Sequence, residues 1–208
     1  MNHLPVPPLL VITDRRQAAE PLSAVIAGAI SGGARWISIR EKDLPAEDRR
    51  ALFKPLLPLA MMTRTRLMVH DDLETAAALG LAGLHLPAGS DPGPARTRLG
   101  PGALIGVSAH DTASAWEAAR LGADYVTLSP IFLTDSKPGY GRTLGLDALA
   151  AACRVLPCPV LALGGIDAET LGPCLAAGAA GAAVMGGIMR AQDPAAACRD
   201  LVAAWKTA

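Results

Sequence analysis

The chain has 208 residues, 51% of them hydrophobic and 18% charged, and nineteen basic residues balance nineteen acidic ones. That much apolar surface can bury a core, which excludes a disordered chain, and the lack of a basic cluster together with only 3% aromatic residues argues against a nucleic-acid binder. No apolar run reaches the ~18 residues of a membrane span, and MNHLPVPPLLVITD has neither the basic start nor the long apolar stretch of a signal peptide, so a cytoplasmic setting without membrane contact is expected.

Short apolar or β-branched runs recur along the chain with helical segments between most of them. Leu9 to Thr13 precedes PLSAVIAGAIS, Trp36 to Arg40 precedes AEDRRALFKPLLPLA, and Leu67 to His70 and Gly83 to Leu86 follow. DPGPARTRLGPG carries a short or irregular helix, after which Leu104 to Ser108 leads into TASAWEAARLG. Tyr125 to Leu128, Val160 to Leu163 and Ala182 to Met185 complete the strands, and DPAAACRDLVAAW supplies a last helix. Gly-Ala pairs at Gly33, Gly122 and Gly178, and the looser Gly80-Leu81-Ala82, precede the second, sixth, eighth and fourth strands, where glycine ends a helix and a small residue lets the strand pack.

Eight such units with nearly continuous apolar strands, and no GxGxxG opening a helix near the N-terminus, predict an α/β fold of the (β/α)₈ TIM-barrel type, one domain over residues 1–208. The cysteines Cys153, Cys158, Cys174 and Cys198 lack zinc spacing and read as buried small hydrophobes. The outer helices of such a barrel leave a homo-oligomer open.

Barrel enzymes place their chemistry where strands end, so the polar residues at each exit are the candidates. Arg40, Glu41 and Lys42 leave the second strand, and Thr134, Ser136 and Lys137 follow the sixth. Two cations from one strand with hydroxyls and an ammonium from another would surround a polyanion, with pyrophosphate the natural candidate. Asp71 either binds Mg²⁺ beside it or caps the helix beginning near Leu73. Gly164-Gly165 and Gly186-Gly187 end the seventh and eighth strands with backbone N–H groups suited to a monophosphate, and Asp167 in GGIDAET is a candidate cap. Arg40, Glu41 and Lys42 also read as a solvated charge run, Ser108 as a hydroxyl bonded to strand-end backbone, and His85 as a satisfied core histidine.

The segments ISIREKD, MVHDDLETA, GLHLPAGSD, IGVSAHD, ADYVTLSPIFLTDSKPG, VLALGGID and AAVMGGI, in that order, resemble the serial motifs of the thiamine phosphate synthase/TenI family from about Leu10 to Arg199. The resemblance implies a transferase that condenses hydroxymethylpyrimidine pyrophosphate with a thiazole phosphate, releasing pyrophosphate. It implies that Arg40 and Lys42 contact the pyrophosphate side, that Asp71 binds Mg²⁺, and that Ser108 lines the pocket. Thr134, Ser136 and Lys137 would cradle pyrophosphate, and Gly164, Gly165, Gly186 and Gly187 would approach the thiazole phosphate.

Several positions depart from the synthase pattern. Ser38 stands where synthases have Gln, His70 where they have Asn, and Pro87, Ala88, Gly89 and Ser90 where a Gly-Gln-Glu-Asp run supplies a second Mg²⁺ carboxylate. LPAGS resembles the TenI branch, which moves protons on a thiazole phosphate, yet Pro130 occupies the position of that branch's catalytic His. Asp91 is then a substitute metal ligand, and His70 or His110 a proton-transfer group. A TenI-like isomerase and a non-catalytic phosphate binder stand as alternatives. An aldolase would need a Schiff-base lysine within a strand, and none of the runs contains one.

Overall fold

The computed structural model describes residues 3–134 and 143–208. Eight parallel strands pair in chain order and close on themselves: β1 (Leu9–Ile12), β2 (Trp36–Ile39), β3 (Arg66–His70), β4 (Gly83–Leu86), β5 (Leu104–Ala109), β6 (Tyr125–Leu128), β7 (Val160–Leu163) and β8 (Gly181–Val184). The helices around them are α1 (Leu22–Ser31), α2 (Ala46–Phe53), α3 (Leu56–Thr63), α4 (Leu73–Ala78), α5 (Gly93–Leu99), α6 (Thr112–Arg120), α7 (Gly145–Val155), α8 (Ala168–Ala176), α9 (Gly186–Met189) and α10 (Pro194–Thr207). This is the (β/α)₈ barrel that the alternating pattern predicts.

Strand periodicity divides the core in two. Leu9 and Val11 of β1 point outward to the helices, while Leu10 and Ile12 join Trp36, Met68, Leu104, Tyr125, Leu161 and Ala183 in a separate cluster inside the barrel. Trp36 packs edge-on to Tyr125 with ring centroids 4.8 Å apart, and its Nε1–H donates to Met68 Sδ at 2.7 Å. That apolar plug closes the lower barrel.

Two residues further along β2, β3, β5 and β6 the same inward face turns polar. Trp36 is followed by Ser38, Met68 by His70, Gly106 by Ser108 and Tyr125 by Thr127, so this side of the upper barrel carries hydroxyls and imidazoles, while Ile12, Leu163 and Met185 keep the β1, β7 and β8 side apolar. The cavity begins there.

Two helical expectations are refined. AEDRRALFKPLLPLA reads as one segment but forms α2 and α3: Lys54 keeps helical backbone, yet Pro55 has no N–H to donate to Ala51 O, which accepts from Lys54 N at 3.3 Å instead. DPGPARTRLGPG yields the short α5, as its composition suggests. The glycines at 33, 80, 122 and 178 all take positive φ, as the helix-ending role requires. Cys158, Cys174 and Cys198 are buried and Cys153 is half-buried, all as free thiols. Among the described residues no helix is long and apolar enough to cross a membrane.

Candidate functional site

A cavity of about 510 Å³ opens at the C-terminal mouth of the barrel. Its wall includes Arg40 and Lys42 from the β2 exit, His70 from β3, His85 from β4, Ser108 and His110 from β5, and Thr134 after β6. Gly164, Gly165 and Asp167 after β7, and Gly186, Gly187 and Arg190 after β8, form the other side. Most of the residues nominated from sequence therefore meet on one surface. Ser136 and Lys137 lie outside the described residues.

The β2 exit is not a solvated charge run. Glu41 is 1% exposed, accepts from Thr13 Oγ1 at 2.7 Å and from the Arg15 backbone at 3.0 Å, and so ties β2 to β1. Thr13 Oγ1 in turn accepts from the Arg40 backbone N–H at 2.9 Å. This fixes the chain at Arg40 while leaving its side chain for the cavity. Neighbouring Arg15 is committed to Asp43, and Arg49 to Asp72. The Arg40 and Lys42 side chains make no hydrogen bond or ion pair among the described residues.

The adjacent aspartates at the β3 exit divide their duties. Asp72, not Asp71, caps α4: its Oδ1 accepts from Thr75 N at 2.9 Å, its Oδ2 from Thr75 Oγ1 at 2.7 Å, and Arg49 pairs with it. Burial opposes ionisation of Asp72, but the Thr75 and Arg49 contacts outweigh it and hold its carboxyl below the ordinary value. Asp71 is exposed at a left-handed φ of 53°, unusual for a non-glycine, with its N–H bonded to His85 O at 2.9 Å. Its carboxylate has no hydrogen bond or ion pair among the described residues.

Asp71, Asp91 and Ser38 lie off the cavity wall. Asp91 is exposed and accepts from Gly93 N at 2.8 Å at the start of α5. Ser38 is buried inside the barrel, and its hydroxyl has no hydrogen-bond partner among the described residues. Ser108 bonds not to backbone but to His85 Nε2, at 2.9 Å. His85 is the buried histidine expected, with Nδ1 2.9 Å from Tyr125 Oη and its ring stacked on His70 at 5.5 Å.

Burial, with the Arg40 charge adding to it, pushes the His85 pKa down to about 3. The folded protein thus binds fewer protons than the unfolded chain between pH 6.5 and about 3. Stability falls as the pH drops through that window, by about 1.4 kcal/mol per pH unit from this group alone. Urea unfolding at pH 7 and pH 5 should show roughly 2 kcal/mol more acid loss in the wild type than in His85→Gln. Equal losses would remove His85 as the source.

The glycines after β7 meet a steric demand. The chain leaving β6 crosses them, with Ile131 N–H donating to Leu163 O at 2.9 Å and Phe132 N–H to Gly164 O at 3.0 Å. A Cβ on Gly165, at φ 66°, would lie 2.4 Å from Leu133 O and 2.7 Å from Phe132 Cβ. Gly165→Ala is expected to lower stability by roughly 2–4 kcal/mol in urea titration, strain and overlap adding. Asp167 caps α8 as anticipated, in a capping box with Thr170.

Arg190 was missed by sequence reasoning. It follows the short α9, lines the cavity and bonds Gln17 Oε1 at 2.5 Å. The signal available was a single cation just beyond GGIM.

Cations at β2, glycine backbone at β7 and β8, and a mouth-side cavity together define a phosphate-handling (β/α)₈-barrel enzyme. Residues 9–188 match the thiamine monophosphate synthase family, TMP-TENI, and the chain belongs to that family. It is 41% identical over 195 residues to the thiamine-phosphate synthase of Roseiflexus sp. strain RS-1, covering 92% of this chain and 82% of that one. With the thiamine-phosphate synthase of Roseiflexus castenholzii it shares 40% over 208 residues, covering 96% and 90%. The solved thiamine phosphate pyrophosphorylase from Pyrococcus furiosus superposes with a TM-score of 0.85 at 30% identity, over 96% of this chain and 95% of that one.

Proposed function

We propose that the enzyme condenses hydroxymethylpyrimidine pyrophosphate with a thiazole phosphate, giving thiamine phosphate and pyrophosphate, in the cytoplasm. The observation that carries this reading is the pair of anion-binding regions on one cavity. Arg40 and Lys42, uncommitted among the described residues, stand at β2, while the glycine turns and Arg190 stand at β7 and β8, with β1 between. Two phosphorylated ligands held by such separate regions present their heterocycles to one another, and that positioning supplies much of the rate.

The residues at the β3 exit suit Mg²⁺. Asp71 keeps a left-handed backbone conformation, and among the described residues it has no capping or ion-pairing duty, while Asp72 takes both. Asp71 would hold the ion together with phosphate oxygens and waters. Among the described residues no group of three or more His, Cys, Asp or Glu side chains forms a metal cluster. When bound, the ion neutralises the diphosphate and the departing pyrophosphate. Arg40 and Lys42 bind the same oxygens, Ser108 hydrogen-bonds the ligand, and the upper barrel keeps bulk water from the reacting atoms.

Purified protein with both substrates and Mg²⁺ is expected to release pyrophosphate and form thiamine phosphate, and to stop when EDTA removes the ion. Folded protein that binds thiazole phosphate but forms no product would overturn condensation. It would favour the proton-moving reaction of the TenI branch, for which His70 and His110 on the cavity wall are the available imidazoles.

A further inference from the structure

Three adjacent strands build a hydrogen-bond chain from the barrel floor to the cavity. Tyr125 of β6 passes over Gly106 of β5, its register partner, and its hydroxyl reaches Nδ1 of His85 on β4 at 2.9 Å. His85 Nε2 then meets Ser108 Oγ, back on β5, at 2.9 Å. Gly106 is the gap that lets the phenol through, since a Cβ there would lie 2.0 Å from Tyr125 Cζ.

The chain has a direction because its lower end is sealed. Tyr125 is 0% exposed, and its hydroxyl has no hydrogen-bond partner among the described residues other than His85 Nδ1. Burial also keeps the phenol protonated, raising its pKa well above the ordinary value. A neutral imidazole has one donor and one acceptor nitrogen. Were Nδ1 the donor, the Tyr125 proton would point into packed apolar side chains with nothing to accept it, a penalty of roughly 5- to 150-fold against that tautomer. The other tautomer satisfies every group: Tyr125 donates to Nδ1, Nε2–H donates to Ser108 Oγ, and the Ser108 proton is left for the cavity.

We infer that Tyr125 and His85 are positioning residues that hold Ser108 as a hydrogen-bond donor toward an acceptor atom of the bound substrate. Both act by denying the Ser108 hydroxyl its inward acceptor. The kinetic consequence rests on the condensation reading, whereas the proton arrangement does not. Without the Tyr125 hydroxyl, His85 is free to exchange tautomers, and Ser108 turns its proton inward for part of the time.

Two measurements test this. In full-length protein labelled with ¹⁵N-histidine and free of ligand, His85, assigned by comparison with His85→Gln, should be protonated on Nε2 and bare on Nδ1 at pH 7.5. An Nδ1-protonated ring or an imidazolium overturns the inference, whatever reaction the enzyme catalyses. In the condensation assay, Tyr125→Phe should lower kcat/KM about tenfold in the wild-type background and leave Ser108→Ala unchanged. The same loss in both backgrounds would make Tyr125 a packing residue only and overturn its action through Ser108. Should Tyr125→Phe fail to fold, the tautomer in the wild-type protein decides by itself. Absence of condensation would count against the proposed reaction and leave the tautomer result standing.

Discussion

Gly106→Ala is expected to destabilise the enzyme by roughly 3–5 kcal/mol, at or beyond the upper end of what overpacking costs. The added methyl would lie 2.0 Å from Tyr125 Cζ and 2.4 Å from its Oη, and the ring has nowhere to move. It is fully buried, edge-on to Trp36, inside a cluster that also holds Leu104 and Leu161. Urea unfolding measures the loss directly. The cause is tested by pairing: Gly106→Ala with Tyr125→Leu should lose less than the sum of the two single variants, because the shorter side chain removes the overlap. Strict additivity would place the damage in the strand backbone instead. In any fraction that folds, displacement of the phenol should leave His85 without its inner partner.

The barrel was legible because its signals are local. Each strand is a short apolar run, each helix has its own start or stop chemistry, and β4, β6 and β7 match the sequence expectation to the residue. The rim was legible for a related reason: with strand ends fixed, Arg40, Ser108, Gly164 and Gly186 fall at exits by counting alone. Alternation on one strand also carries information not used at that stage. Trp36-x-Ser38-x-Arg40 and Gly106-x-Ser108 already write an inward face that turns from apolar to polar.

What escaped the sequence depends on side chains that meet across strands. Nothing in ISIREKD separates buried Glu41 from exposed Lys42, because that difference arises only when Thr13 and Arg15 of the preceding segment close over the carboxylate. Asp71 and Asp72 are chemically identical neighbours, and a left-handed φ at the first gives the cap to the second. The link from Ser108 to Tyr125 needs the registers of β4, β5 and β6 together.

Arg40→Ala is expected to lower kcat/KM for pyrophosphate release by about 10²–10³-fold, the range found when a preorganised charge-stabilising donor is removed. The fold should survive the change, since the contact that holds this position is the Arg40 backbone N–H on Thr13 Oγ1, which alanine keeps. Thermal melting should therefore stay within about 2 °C of the wild type. Arg40→Lys should recover only part of the activity, because an ammonium gives a point charge where a guanidinium gives a two-pronged fork to phosphate oxygens. The loss would not pass through His85: burial is the larger cause of its depressed pKa, so the ring stays neutral when the Arg40 charge is gone. A variant that keeps kcat/KM within about threefold of wild type would move the diphosphate away from β2. The glycine turns and Arg190 of β7 and β8 would then be the main anion site.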